Sequence, residues 1–206
     1  MDELELLKKD WKAREKDLPR LKASEIYPML LKKSSSIVKW IFIISIIELA
    51  LSTFLNIYLA DDEFWAQVKN IHFKNVMIGI YIFSYLATGV FIFLFYKNYK
   101  NISTTDSASQ LMKNILKTRR VVKYYILYVL VSSGITMILY FVFSIMYPPA
   151  GSGIDPEKLN WGWALLIAIG VTLLFLTLLW LFYLLVYGIL LRKLKRNYKE
   201  LKKLEL

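Results

Sequence analysis

Four polar side chains recur at helical spacing in a mostly apolar stretch, residues 37–60. They stand three, four and four positions apart and are Ser45, Glu48, Ser52 and Asn56. Residues with these spacings share one face of an α-helix, so the side chains form a single polar stripe. A carboxylate beside hydroxyl and amide groups can hold a proton or a cation, and it can also bind the polar group of a lipid-like ligand.

Later apolar stretches carry hydroxyl groups that can face this stripe. We expect Tyr85, Thr136 and Tyr140 to lie near Glu48, because a costly intramembrane carboxyl group is usually turned toward protein or water instead of lipid. Two interpretations of the stripe stay open. It lines a path or binding site for an ion, a proton or a ligand, or it is a structural seam that joins helices within the chain or between copies of it.

Residues suited to other chemistry are scarce in this sequence. His72 is the only histidine and there is no cysteine, which leaves few ways to build a zinc or iron site. Asp61, Asp62 and Glu63 have the spacing of a helix terminus and are expected to cap the helix that follows. No nucleotide-binding loop is present, and Gly151-Ser152-Gly153 is typical of a turn. We therefore predict a protein that is not an enzyme and has no catalytic residue, cofactor or metal.

Four long apolar runs position the stripe, and they predict an all-α polytopic membrane protein. We place transmembrane helices at about residues 37–60, 76–96, 121–147 and 162–191, arranged as two hairpins. Each run is long enough as a helix to cross a hydrocarbon core of about 30 Å. In the second span, Gly79 and Gly89 are expected to permit close contact with another helix.

The segments that flank these spans alternate in charge. Residues 1–36, 97–120 and 192–206 contain 9, 6 and 7 lysines and arginines, whereas the two other connecting segments contain only 3 in total. Short cytoplasmic segments are enriched in basic residues, so both termini are predicted to lie in the cytoplasm. The net charge of +11 fits a bilayer with an anionic cytoplasmic face, and no motif for nucleic-acid binding accompanies it.

The basic segments also have apolar positions at helical spacing, which predicts amphipathic cytoplasmic helices at the N-terminus, in the middle loop and at the C-terminus. The domains are then a cytoplasmic segment at 1–36, a transmembrane domain at 37–191 and a basic tail at 192–206. The candidate surface or partner-binding residues are Leu4, Leu7, Trp11, Leu194, Tyr198 and Leu201. These helices can lie on the membrane surface or bind a protein partner. A helix in the middle loop should begin near Ala108, because Ser107 and Gln110 have the spacing of a capping box.

The run from Leu4 to Glu48 resembles an uncharacterised family of small bacterial four-span membrane proteins. The resemblance rests on Leu18-Pro19, Glu25-Ile26-Tyr27 and the run from Lys32 to Trp40. It implies a multi-pass protein of the bacterial inner membrane. Some members of that family bear the automatic name carotene monooxygenase, but that iron centre needs four histidines and this sequence has one.

Two functions are compatible with these patterns. The first is a regulatory or scaffolding role, in which the cytoplasmic helices engage a protein partner or a second copy of the chain. The alternative is a small transporter or channel subunit that uses the stripe around Glu48. The residues do not identify a ligand or a partner.

Overall fold

The structure is a computed structural model, and it describes residues 4, 5, 7–10, 23–105, 107–148 and 160–204. Four long helices and one short helix make up the body: α1 (Ala23–Leu59), α2 (Asp62–Asn70), α3 (Lys74–Ser103), α4 (Ala108–Met146) and α5 (Trp161–Leu204). The described residues contain no β-strand. The four long helices are each long and apolar enough to cross a membrane, which confirms the all-α, four-span prediction.

Three of the long helices continue far beyond their apolar runs. α1 begins 14 residues before Ile37, so the second part of the predicted cytoplasmic segment 1–36 is continuous with the first span as one helix. No helix-breaking residue stands between Pro28 and Ile37, and buried Ser34 is held within the fold by Asn197 of α5 (3.0 Å). α4 begins at Ala108, as the capping spacing predicts, with the Ser107 hydroxyl accepting from the Gln110 amide (3.3 Å).

The long helices form a closed ring in the order α1, α3, α4, α5, with each helix packed on the next and α5 packed on α1. Tyr27 at the start of α1 donates to the carbonyl of Thr105 after α3 (3.1 Å), and Asn114 at the start of α4 donates to the Thr105 hydroxyl (3.0 Å). These contacts, with the one between Ser34 and Asn197, bring the basic segments of all four helices together. We call this part of the bundle the basic end.

The interior is divided into two apolar clusters. The larger cluster extends through the basic end and includes fully buried Ile41, Phe95, Leu111 and Leu194. The smaller cluster lies at the opposite end, where Phe73 and its neighbours pack against α3 and α4. We call that part the far end. Between the clusters the bundle is less filled, and Glu48, Ser52 and Asn56 of the polar stripe lie at this level.

The short helix α2 covers the far end. Its first turn is capped by Asp61, whose carboxylate accepts from the Phe64 amide (2.8 Å), and Val68 is buried beneath it. His72 follows with a φ of 59°, a left-handed conformation that turns the chain sharply into α3. The His72 ring packs on Tyr147 with ring centroids 4.5 Å apart. The turn therefore holds α2 against the ends of α3 and α4.

Candidate functional site

Glu48 lies near the middle of the apolar part of α1 and is half-buried. Its two carboxylate oxygens accept hydrogen bonds from Tyr183 and from Tyr187, the second at 3.0 Å. Both tyrosines belong to α5 and stand four residues apart, so their hydroxyls point from one face of that helix. This pairing fixes the carboxylate at the junction of α1 and α5.

Tyr125 completes an aromatic floor beneath the carboxylate. Its ring packs edge-on against Tyr183 and Tyr187, with centroids 6.2 and 6.1 Å away. Phe91 and Phe95 of α3 pack on the other side of Tyr125, at 5.3 and 5.6 Å. The three tyrosines are buried. The floor therefore separates Glu48 from the larger apolar cluster of the basic end.

A cavity of about 650 Å³ extends from this floor toward the far end. Its wall is contributed by all four long helices, while Phe64 and Phe73 lie at its far side. The hydroxyl-bearing residues of the wall, apart from the tyrosines, are Ser52, Ser84, Thr88, Ser132, Ser133 and Thr136. We call this space the Glu48 cavity. Hydroxyl groups alternate there with Leu49, Met77 and other apolar side chains, so an amphipathic molecule would match its surface.

One polar group of the wall lacks a partner. The Tyr128 hydroxyl is buried and makes no hydrogen bond with the described residues. A buried hydroxyl without a partner costs about 1–3 kcal/mol. Tyr128 lines the cavity and follows Tyr125 of the floor by about one turn of α4. The hydroxyl oxygen itself is covered by neighbouring protein atoms and is not exposed to the cavity.

The cavity also reaches the surface of the bundle. Ser52 of α1 and Phe175 of α5 both line it, and both remain exposed. Tyr85 of α3 also lines the cavity and is exposed, so the cavity is open at the side in the half of the bundle nearer the far end. Leu51 and Leu174 beside the opening are 55% and 64% exposed, so an entering molecule would meet an apolar rim.

Charge in the cavity is unbalanced. Among the described residues, Glu48 carries the only carboxylate of the wall, and no lysine, arginine or histidine lines it. Tyrosine hydroxyls can donate to a carboxylate, but they supply no positive charge. An ionised Glu48 would thus lack a counter-charge within the cavity, and a cation bound there would supply one.

Six of the seven predicted site residues line the cavity, and Ser45 does not. Ser45 is buried below the aromatic floor, with its hydroxyl donating to the Phe42 carbonyl (2.7 Å). It lies one turn closer to the basic end than Glu48, where the larger apolar cluster fills the interior. Ser52 and Asn56 line the wall and also bond to carbonyls of their own helix.

The expected partners of Glu48 are replaced by others. Tyr85 donates to Thr53 (3.2 Å) and Thr136 donates to the Ser132 carbonyl (2.8 Å), although both line the cavity, as does Tyr140. The hydrogen-bond partners of Glu48 come instead from α5, which sequence reasoning missed. The available signal was the pair Tyr183 and Tyr187, which are four residues apart in a run otherwise rich in leucine.

The predicted surface residues fall into two groups. Leu4 and Leu7 are 71% and 69% exposed, whereas Trp11 lies outside the described residues. Leu194 and Leu201 are fully buried, because the end of α5 packs into the larger apolar cluster, and Tyr198 packs against the same cluster. The prediction that these tail residues form a partner-binding surface is therefore corrected: they pack against other helices of the same chain.

In the part of the chain that the structure describes, no three His, Asp or Glu side chains are grouped closely enough to hold a metal ion. His72 is an exposed turn residue beside Tyr147.

Searches among curated proteins and among solved structures each gave no match. A family model does match, and it covers residues 24–206, which include nearly the whole of the four long helices and every residue of the Glu48 cavity. By this match the chain belongs to the family described as a domain of unknown function, DUF8845.

Proposed function

We propose that this protein is a non-catalytic membrane protein that binds a small amphipathic cation in the Glu48 cavity, as a transporter or channel subunit would. One observation carries the proposal. Glu48 is the single carboxylate of the cavity and lies at its closed end, and no basic side chain among the described residues lines the cavity. An isolated charge is costly at that depth, and pairing it with a cationic guest removes much of the cost.

The rest of the wall supports the same class of ligand. Tyrosine faces attract cations, by about 0.5–2 kcal/mol, and Tyr81, Tyr85 and Tyr128 line the cavity beyond the aromatic floor. The side opening of the cavity would admit a molecule directly from the membrane. An amphipathic cation concentrates in membranes, and its apolar part matches the exposed leucines at the rim.

The first prediction tests the charge of Glu48. The purified full chain in detergent should bind tetraphenylphosphonium in equilibrium dialysis, and Glu48→Gln should weaken binding at least about tenfold, because one charge pair is worth roughly 1.4 kcal/mol or more in a partly dry site. The matched control is Glu63→Gln, which makes the same chemical change at an exposed site on α2.

Binding by Glu48→Gln equal to wild type would reject the counter-charge role, and absence of binding by the wild type would reject the cation proposal. Flux in proteoliposomes then distinguishes transport from simple binding. A transporter should move the cation across the membrane, and that movement should stop in Glu48→Gln. The control variant Glu63→Gln should still bind the cation and transport it.

The membrane and its orientation belong to the same proposal. We place the protein in the bacterial inner membrane with both termini in the cytoplasm, supported by the 22 basic residues of segments 1–36, 97–120 and 192–206. The basic end then faces the anionic leaflet, and the Glu48 cavity opens into the opposite half of the bilayer. The net charge is explained by the bilayer without a nucleic acid.

A regulatory or scaffolding role is the second candidate. It is favoured by the continuity of α1, α4 and α5, which run without interruption from the level of the cavity into the basic end. Occupancy of the cavity could thus be transmitted to a protein partner or to a second copy of the chain. Crosslinking in cells followed by mass spectrometry tests it: a partner captured only in the presence of the cation would support this role.

A further inference from the structure

A second pocket lies at the basic end, between α1 and α3, and is separate from the Glu48 cavity. Its volume is about 530 Å³, and its polar wall consists of Lys32, Ser35, Ser36, Lys39, Tyr99 and Ser103. We call it the α1–α3 groove. It shares no residue with the Glu48 cavity.

The charge of the groove is positive. Lys32 and Lys39 stand seven residues apart, two helical turns, and therefore project on the same side of α1. Both are exposed, and neither forms an ion pair with another described residue. No acidic side chain among the described residues lines the groove. Two ammonium groups thus flank a set of hydroxyl donors, a combination that suits a phosphate group.

The shape of the groove is fixed by the fold. The Tyr27 hydroxyl donates to the Thr105 carbonyl at 3.1 Å, which ties the start of α1 to the end of α3 at one side of the groove. α1 also packs along α3, so the helices that carry the lysines and Ser103 are held in place before any ligand binds. A preformed site loses less entropy on binding than one that must be assembled.

The depth of the groove indicates where the phosphate comes from. Lys39 is followed by Trp40, which is 55% exposed, and Tyr96 on α3 is 46% exposed just before Lys97. Exposed Trp and Tyr beside lysines mark the boundary between hydrocarbon and headgroups. Lys32 lies about 10 Å further along α1 than Lys39, and the headgroup region is about 5–8 Å thick on each side of a bilayer, so the two lysines lie on either side of the headgroup phosphates.

We propose that the α1–α3 groove binds the phosphate group of an anionic phospholipid, with Lys32 and Lys39 as counter-charges and the hydroxyls of Ser35 and Ser36 as hydrogen-bond donors. The acyl chains would extend from the groove along the exposed apolar faces of α1 and α3 toward Ile47 and Phe93. Basic pockets between helices at the cytoplasmic side of a membrane are suited to such headgroups.

The test is native mass spectrometry of the full chain, released from nanodiscs of phosphatidylcholine with a minor fraction of phosphatidylglycerol. Wild type should retain phosphatidylglycerol in preference to phosphatidylcholine. Lys32→Gln/Lys39→Gln should weaken that preference about 30-fold, because one lysine near a membrane surface is worth roughly a fivefold change in affinity. The matched control is Lys33→Gln/Lys97→Gln, which removes two exposed lysines at a similar level outside the groove.

Several results would overturn the proposal, and the first three concern lipid retention and displacement. They are equal retention of the two lipids by wild type, equal losses in the groove variant and the control variant, and complete displacement of the lipid by millimolar inorganic phosphate, which would identify a site for free phosphate. A groove variant that fails to fold is recognised by its thermal transition, and Ser35→Ala/Ser36→Ala then tests the same site without changing its charge. The proposal is also rejected if neither the serine variant nor the lysine variant changes the preference for phosphatidylglycerol over phosphatidylcholine.

Discussion

At the scale of single residues, Glu48 is joined to a partner 139 positions later in the chain, the Tyr187 hydroxyl. A hydrogen bond to a charged group contributes about 1.5–3 kcal/mol, and within membranes the measured values are often smaller. Tyr183 provides the second donor, and Tyr125 supports both rings from α4. The carboxyl group therefore has a structural role in addition to any role in binding.

The residue-scale prediction separates these roles. Glu48→Gln should leave the thermal stability close to that of wild type, because the amide has the same shape and can still bond to the tyrosine hydroxyls. Glu48→Leu should cost roughly 1–2 kcal/mol, since it leaves Tyr183 and Tyr187 without their acceptor. Unfolding in detergent, followed by tryptophan fluorescence, measures both.

A double-mutant cycle provides the control. If the bond to Glu48 carries the loss, Tyr187→Phe should cost less in the Glu48→Leu background than in wild type. Additive losses would show that the two side chains act independently. Glu48→Leu as stable as wild type would contradict the structural role altogether.

At the scale of helices, α4 and α5 pack closely where one glycine stands. A side-chain carbon added at Gly134 would lie 3.1 Å from Leu176 of α5, whereas nothing lies within 4 Å of the same position at Gly79 or Gly89. The expectation that Gly79 and Gly89 permit close helix contact is therefore wrong, because both face outward from α3. The close contact is on α4, buried within the ring.

The helix-scale prediction compares the two kinds of glycine. Gly134→Val should destabilise the protein by about 1–3 kcal/mol, because the branched side chain must displace Leu176 from a packed interface. Gly89→Val, the matched control, adds the same atoms to open space and should change stability by less than about 1 kcal/mol. Equal losses in the two variants, measured by thermal unfolding, would contradict the packing given for α4 and α5.

At the scale of the whole molecule, the ring of four helices has two different ends. The basic end is a filled apolar core with polar bonds such as that between Asn197 and Ser34, and the half nearer the far end contains the Glu48 cavity beneath α2. A guest in the cavity would therefore meet a less filled half of the bundle and a firmly packed floor. The proposed orientation decides which side of the membrane each end faces.

The prediction at this scale concerns that orientation. In intact cells, tags at either terminus and at Ser103 should be protected from membrane-impermeant reagents, because they lie in or beside the basic segments. Single cysteines at Gln67 and Ser152 should be labelled, since the segments that contain them have few basic residues. External labelling at Ser103 would contradict the arrangement of the spans as two hairpins with cytoplasmic termini. The chain has no native cysteine, so the labelling has no background from the protein itself.

Local patterns in the sequence were enough to predict the four spans, the position of Glu48 within the first span and the start of α4 at Ala108, since these depend on hydropathy, helical spacing and capping. The sequence could not predict that Ser45 lies outside the cavity. Helical spacing shows that Ser45 and Glu48 are on the same face of α1, but it does not show that the aromatic floor lies between them. Helical spacing also does not show which residues far apart in the chain come into contact, such as Glu48 and Tyr187.

Tertiary packing determined the remaining features. It brought Tyr183 and Tyr187 to Glu48, buried Leu194 and Leu201 against other helices, and formed the α1–α3 groove from residues of two helices. The physical reason is that each of these features depends on which apolar faces pack together. In a chain with such uniformly apolar helices, many pairings bury similar surface, and steric fit between particular side chains selects among them.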